Sequence, residues 1–110
     1  MVNHDDIDAT DLMLIINELA RQVHETARSK GFYDMKVPFP QAIALIHSEA
    51  SEALEAHRNA MPVADIEEEM ADIVIRVMDT CAYHGFNIGS VMLSKIERNT
   101  KRDYKHGKRY

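Results

Sequence analysis

The chain has 110 residues, enough for one small domain, and its 45% hydrophobic and 28% charged residues are typical of a globular protein. It contains no apolar run of the ~18 residues that a membrane-spanning helix needs, and its polar start is unlike a signal peptide. A single cysteine, Cys81, excludes an internal disulfide. We therefore expect a cytoplasmic protein without a membrane partner.

The net charge of −5 is unevenly distributed along the chain. Residues 95–110 contain seven of the thirteen Lys and Arg residues and two of the eighteen acids, a net charge of +5, whereas residues 1–94 carry −10. The acidic body argues against nucleic-acid binding. A basic tail beside an acidic body suits a small polyanion that carries a metal ion.

The first helix is predicted over residues 10–30, with Gly31 directly after its end. Its apolar residues recur at steps of three and four, which is typical of a buried stripe. These residues are Leu12, Ile15, Ile16, Leu19, Val23 and Ala27. Residues 32–39 are predicted to form a loop, and Pro40 suits the first turn of the next helix.

Three further helices are predicted over residues 40–59, 64–83 and 88–102. Pro62 and Gly85 separate them, and Asn87 is a suitable N-cap for the last. In the third helix the residues expected to face inward are Ile66, Met70, Ile73, Val74, Val77, Met78 and Cys81. Residues 1–8 and 103–110 are expected to be flexible tails of this single domain.

The expected fold is all-α, a small four-helix bundle-like domain. Its third helix carries apolar residues on more than one face, which is more than one neighbouring helix can cover. We therefore expect oligomerisation, as a homodimer or homotetramer, to complete the core.

Two pairs of acids stand out in the second and third helices. Glu49 and Glu52 are three residues apart, and Glu69 and Asp72 repeat the spacing after sixteen intervening residues. Three residues turn a helix by about 300°, so the carboxylates of a pair lie on one side. An antiparallel helix hairpin could bring all four together, where they would repel unless a cation lay between them.

A solvated helix surface is the alternative explanation of these acids. Glu49 argues against it, because it continues the row of Ala42 and Leu45 on the apolar stripe. Oxygen ligands select a hard ion, so we expect Mg²⁺, with Mn²⁺ as a possible substitute. A di-iron bundle would need Glu-x-x-His pairs, which are missing from these positions.

With these motifs the chain resembles the MazG-like proteins of the all-α NTP pyrophosphohydrolase superfamily. The similar segments are HSEASEALE at residues 47–55, EEEMADIVIR at 67–76, and the stretch from Lys95 to Lys108. That family carries Glu-x-x-Glu on one helix and Glu-x-x-Asp on the next. Many members place Glu directly before the first motif glutamate, where this chain has Ser48.

The resemblance implies Mg²⁺-dependent hydrolysis of a nucleoside or deoxynucleoside triphosphate to the monophosphate and pyrophosphate. Glu49, Glu52, Glu69 and Asp72 would be the metal ligands and catalytic residues, with one glutamate holding the attacking water. The role would be to remove unwanted or surplus nucleotides.

The resemblance also implies that Lys95 and Asn99 contact the substrate phosphates. Arg102 continues their row on the fourth helix, and Lys108 lies beyond it. The alternative is a solvated basic helix end, which the helix dipole favours.

Other polar residues of the pattern are predicted to be structural. Arg76 is spaced for an ion-pair ladder with Asp72 and Asp79. His24, on the polar edge of the first helix, is expected to be structural, with contact to a nucleobase as the lesser alternative.

Three loop aromatics, Phe32, Tyr33 and Phe39, could stack on a base or anchor the loop.

Two alternatives to the enzyme remain open: a metal-binding helical module without turnover, and a structural helix-bundle dimer whose acids are surface residues.

Overall fold

The computed structural model describes residues 8–107, with side chains to residue 105, and the regular secondary structure of this part consists of helices without strands. The helices are α1 (Ala9–Ser29), α2 (Phe39–Arg58), α3 (Val63–Tyr83) and α4 (Ile88–Thr100), followed by a 3-10 turn at Tyr104–Gly107. The all-α, four-helix prediction is therefore confirmed. The turn lies in the predicted tail, whereas residues 1–7 and 108–110 of the predicted tails lie outside the described residues.

The helix ends follow from residues whose backbone preferences are known. The carboxylate of Asp8 accepts a hydrogen bond from the Asp11 backbone at 2.9 Å, within a capping box that begins α1. Gly31 follows α1 with φ of +87°, which favours glycine. Asn87 caps α4 as predicted, because its side chain accepts a hydrogen bond from the Ser90 backbone at 3.1 Å.

Helix α3 lies at the centre of the bundle and packs against α1 and α2, whereas α4 lies mainly on α1. Helices α2 and α3 form an antiparallel hairpin around Pro62, in which the start of α2 lies beside the end of α3. This arrangement is the one that the two acidic pairs require.

The start of α4 is fixed against α1 by two asparagines and a glycine. Asn17 accepts a hydrogen bond from the Gly89 backbone at 2.8 Å and donates one to the Asn87 side chain at 2.8 Å. A Cβ atom at position 89 would lie only 2.4 Å from the Met13 carbonyl oxygen. The close approach of the two helices therefore requires glycine.

The buried core of the single chain is small. Its buried apolar residues are Ala20, Ala42 and Cys81, and no large side chain of the described part is fully buried. Large apolar side chains are exposed on all four helices. They are Leu12, Leu14, Ile15 and Leu19 of α1, Phe39 and Leu54 of α2, Val63, Met70, Val74 and Ile75 of α3, and Val91, Met92 and Ile96 of α4.

Several residues predicted to face inward are therefore exposed in one chain. The prediction that they face inward is wrong at five positions, which are Leu12, Ile15 and Leu19 of α1 and Met70 and Val74 of α3. Because α1 and α2 pack on α3 and α4 packs mainly on α1, these faces have no neighbouring helix within the described residues. Within the described residues, no helix combines the length and apolarity needed to cross a bilayer.

Candidate metal centre and adjoining cavity

Three of the four predicted carboxylates converge between α2 and α3. Glu49, Glu69 and Asp72 each contribute one oxygen to a group whose members lie within 4.8 Å of one another. Glu49 comes from α2 and the other two from successive turns of α3, so the antiparallel hairpin creates the cluster. The predicted convergence of the helices is confirmed for these three residues.

The Glu69 carboxylate has an oxygen that the protein itself does not satisfy. Its Oε2 atom is buried and has no hydrogen-bond partner in the described part of the chain. A buried, unpaired carboxylate oxygen loses hydration without compensation. A divalent cation among the three carboxylates would supply the missing partner, and an all-oxygen donor set fits Mg²⁺ or Mn²⁺.

Glu52, the fourth predicted ligand, lies outside the three-oxygen cluster and is exposed. Repulsion from Glu49 is the largest cause of its raised pKa; burial and the charges of Glu69 and Asp72 act in the same direction. The carboxylate of Glu52 is thus close enough to the cluster to experience its charge. Its predicted role as a metal ligand stays a prediction.

Arg76 pairs with the cluster and not along its own helix. Its Nε atom donates a hydrogen bond to Glu49 Oε1 at 3.3 Å, and the Glu49 side chain is only 16% exposed. No ion pair joins Arg76 to Asp72 or Asp79 among the described residues, so the predicted ladder is wrong. The carboxylate of the neighbouring helix provides the counter-charge instead.

A cavity of about 350 Å³ adjoins the carboxylates. It is bordered by α1, α2, α3 and the loop after α1. Its acidic lining residues are Glu49, Glu52, Asp72 and Asp79, its basic ones are Lys30 and Arg76, and its apolar ones are Val23, Ala27, Phe32 and Ile75. An apolar wall next to charged groups of both signs suits a ligand with an anionic part and a flat apolar part.

A buried polar network beside this cavity was not predicted. Asp79 is 8% exposed, and its carboxylate accepts a hydrogen bond from His24 Nδ1 at 2.8 Å. The Tyr33 ring stacks on Tyr83 with ring centroids 4.4 Å apart, and His24 meets Tyr33 edge-on. Burial raises the pKa of the Tyr33 hydroxyl, and the nearby Asp79 charge adds to the shift.

One feature of the sequence could have indicated part of this network. Asp79 lies seven residues after Asp72, so both carboxylates point from the same side of α3. Its partner His24 is fifty-five residues away in the chain, and local spacing does not reveal such a contact. The structural role expected for His24 agrees with this pairing.

The loop aromatics differ in their surroundings. Tyr33 lies in the internal stack, and Phe39 meets His84 edge-on with ring centroids 5.2 Å apart. Phe32 is 62% exposed and lines the cavity. Of the three, Phe32 is therefore the one available to a ligand in the cavity.

The residues predicted to bind phosphate at the end of the chain do not line the cavity beside the carboxylates. Lys95, Asn99 and Arg102 are exposed, and none of them is among the described residues that line the cavity. Lys108 lies outside the described residues. The substrate-binding role of these residues stays a prediction.

Comparison with known proteins identifies no relative of this chain. No protein-family model matches it, and neither the curated proteins nor the solved structures give a significant match. The resemblance to MazG-like proteins therefore rests on the motifs alone, and the function has to be argued from the site.

Proposed function

We propose that this protein is a Mg²⁺-dependent nucleoside triphosphate pyrophosphohydrolase, which releases a monophosphate and pyrophosphate from a (d)NTP. The observation that carries the proposal is the convergence of the Glu49, Glu69 and Asp72 carboxylates, of which Glu69 also has a buried oxygen without a partner in the described part of the chain. The adjoining cavity has room for part of a nucleotide. It is lined by two basic side chains, Lys30 and Arg76, and by an apolar wall, which suit such a ligand.

The residues have distinct roles in the proposed reaction. Glu49, Glu69 and Asp72 hold the cation, which when bound neutralises charge on the phosphate oxygens. Glu52 is exposed at the cavity and outside the three-oxygen cluster, so it is placed to accept a hydrogen bond from a water molecule and orient it. Phe32 and the apolar wall face the base or sugar.

The decisive experiment is a panel of ribo- and deoxyribonucleoside triphosphates with Mg²⁺, in which pyrophosphate and monophosphate are both measured. Turnover is expected for at least one nucleotide and is expected to be lost in Glu69→Gln. Glu55→Gln is the matched control, because Glu55 is an exposed acid of α2 that pairs with Arg58 and does not line the cavity. Absence of pyrophosphate with every nucleotide overturns the proposal and favours a metal-binding module without turnover.

We also propose that the working form is a homo-oligomer, a dimer or tetramer. The exposed apolar faces of α1, α3 and α4 support this, because a second copy would remove them from water. Lys95 and Asn99 of α4, together with Arg102 just after its end, are then proposed to reach the substrate from another copy. Light scattering coupled to size-exclusion chromatography checks the assembly, and a monomer at micromolar concentration contradicts it.

A further inference from the structure

Arg76 has an unusual position for a charged side chain of this bundle. It lies one turn after Asp72 on α3, it lines the cavity, and its side chain is 32% exposed. The hydrogen bond that it makes within the described residues uses Nε alone, toward Glu49. Among the described residues, the two Nη groups at the outer end of the guanidinium have no hydrogen-bond partner.

Arg76 lines a cavity in which positive charge is scarce. Four carboxylates line that cavity, and Lys30 is the other cation among its described lining residues. A guanidinium presents its N–H groups as a planar fork, which matches two oxygens of a phosphate. Pairing of Nε with Glu49 fixes the side chain, so less conformational entropy is lost when the fork binds.

We propose that Arg76 is a phosphate-binding residue, which holds Glu49 through Nε and grips a phosphate of the metal-associated nucleotide through its two Nη groups. This inference rests on the proposed function. Arg76 would then link a metal ligand to the substrate. The ion-pair ladder that its helix spacing predicted does not include such a link.

Such a double role gives effects of opposite sign when the arginine is removed. A positive charge beside three carboxylates weakens their attraction for another cation, so its loss strengthens binding of the metal alone. Loss of the fork removes charge-assisted hydrogen bonds to the nucleotide, so binding of the nucleotide weakens. A purely structural arginine would weaken both together, since the site would become disordered.

The test compares Arg76→Ala and Arg76→Lys with the unchanged protein in two titrations. The first measures Mn²⁺ binding without nucleotide, by electron paramagnetic resonance. The second measures binding of a non-hydrolysable triphosphate with an α,β-methylene bridge at saturating Mn²⁺. Arg58→Ala is the matched control, because Arg58 forms a similar 3.2 Å pair with Glu55 and does not line the cavity.

Arg76→Ala is expected to tighten Mn²⁺ binding roughly twofold to tenfold and to weaken binding of the analogue roughly tenfold to a hundredfold. Arg76→Lys keeps the charge and loses the fork, so its Mn²⁺ affinity stays close to normal while the analogue binds more weakly. Arg58→Ala is expected to change neither.

Two results overturn the inference: unchanged affinity of Arg76→Ala for the analogue, or parallel weakening of metal and analogue in both Arg76 variants. Circular dichroism of each variant shows whether the helices are intact, and Arg76→Lys keeps the test available if Arg76→Ala unfolds. If the unchanged protein neither binds the analogue nor releases pyrophosphate, the proposed function itself fails, and this outcome is distinct from the first two.

Discussion

A single oxygen atom, Oε2 of Glu69, shows best how the acidic site differs from an ordinary helix surface. It is buried and has no hydrogen-bond partner among the described residues, and one oxygen of the same carboxylate lies within 4.8 Å of oxygens of Glu49 and Asp72. In the absence of metal this arrangement costs free energy, because three like charges repel and one of them is poorly hydrated. A cation bound among these carboxylates would remove that cost.

Glu69→Gln tests this cost directly, since the side chain keeps its shape and loses its charge. Without metal, the variant is expected to be more stable than the unchanged protein by about 1 kcal/mol, the size of the repulsion between two charges ~4 Å apart in water. With Mn²⁺, the unchanged protein gains stability and the variant gains little. Thermal unfolding with chelator and with Mn²⁺ measures both effects, and equal stabilisation of the two proteins by Mn²⁺ would count against the site.

The raised pKa of Glu52 predicts a pH dependence of the metal-free protein. A carboxyl group whose pKa is higher in the folded state than in the unfolded state stabilises the fold when protonated. That contribution is lost as the pH rises past the ordinary glutamate value of 4.5 and through the higher folded value. Over this range the unchanged protein should lose more stability than Glu52→Gln, as measured by urea unfolding with a chelator present.

Glu55→Gln serves as the control for this comparison, because Glu55 is an exposed acid of the same helix that pairs with Arg58. Identical pH profiles for the unchanged protein and Glu52→Gln would show that Glu52 is not repelled by its neighbours.

The sequence could predict which acids converge and could not predict their neutralising partners. Spacing of three within a helix depends only on helix geometry, and it predicts that Glu49, Glu52, Glu69 and Asp72 converge; three of them do, whereas Glu52 lies outside the cluster. The partner of Arg76 depends on how α2 packs against α3, and local spacing pointed instead to acids of its own helix. The pair of His24 and Asp79 was missed for the same reason, since it joins α1 to α3.

At the scale of the helices, the predicted boundaries agree closely with the structure. Proline, glycine and asparagine mark the ends, and their effects are local to the backbone. The largest difference is at the end of α4, which stops at Thr100, two residues before the predicted Arg102. Fraying ends of this kind depend on contacts that a sequence pattern does not contain.

The contact of α4 with α1 was not predicted, although it depends on one small residue. Gly89 is buried, and its neighbour across the contact is the backbone carbonyl of Met13. Since a backbone atom cannot move aside as a flexible side chain can, the approach of the two helices has no room for a methyl group.

Gly89→Ala is expected to lower the free energy of unfolding by roughly 1–3 kcal/mol, because the added methyl would push α4 away from α1. At a solvent-exposed position inside a helix, Gly→Ala normally stabilises the folded protein. A loss of stability in Gly89→Ala would therefore indicate the close contact with α1. Urea unfolding measures it, with Ser94→Ala as the control at an exposed position of α4. Unchanged or increased stability of Gly89→Ala would contradict the tight contact.

At the scale of the whole molecule, the bundle leaves much apolar surface in water. Leu14, Ile15 and Val91 are each more than half exposed, and the fully buried core contains only small side chains. A chain of this length has little apolar burial to offset its conformational entropy. The surplus of apolar positions on α3 could be recognised in the sequence, but the faces left uncovered depend on how the helices pack.

Mixed oligomers test whether α4 completes a site on another copy. Glu69→Gln and Lys95→Ala are each expected to be inactive alone, the first through the metal ligand and the second through the phosphate contact. Co-expressed in equal amounts as a dimer, they should recover about a quarter of normal activity, because half of the dimers carry one intact site. A mixture no more active than the separate variants would place Lys95 at the site of its own chain or remove it from the reaction.

The lone thiol gives this molecule a natural reporter of its own opening. Cys81 is buried near the end of α3, and burial raises the pKa of its thiol, so little thiolate forms in the closed state. Alkylating reagents act on the thiolate, so labelling at this one position must wait until the structure around the end of α3 opens. The labelling rate thus measures, without any engineered probe, how often the bundle comes apart and how far bound metal or nucleotide slows it.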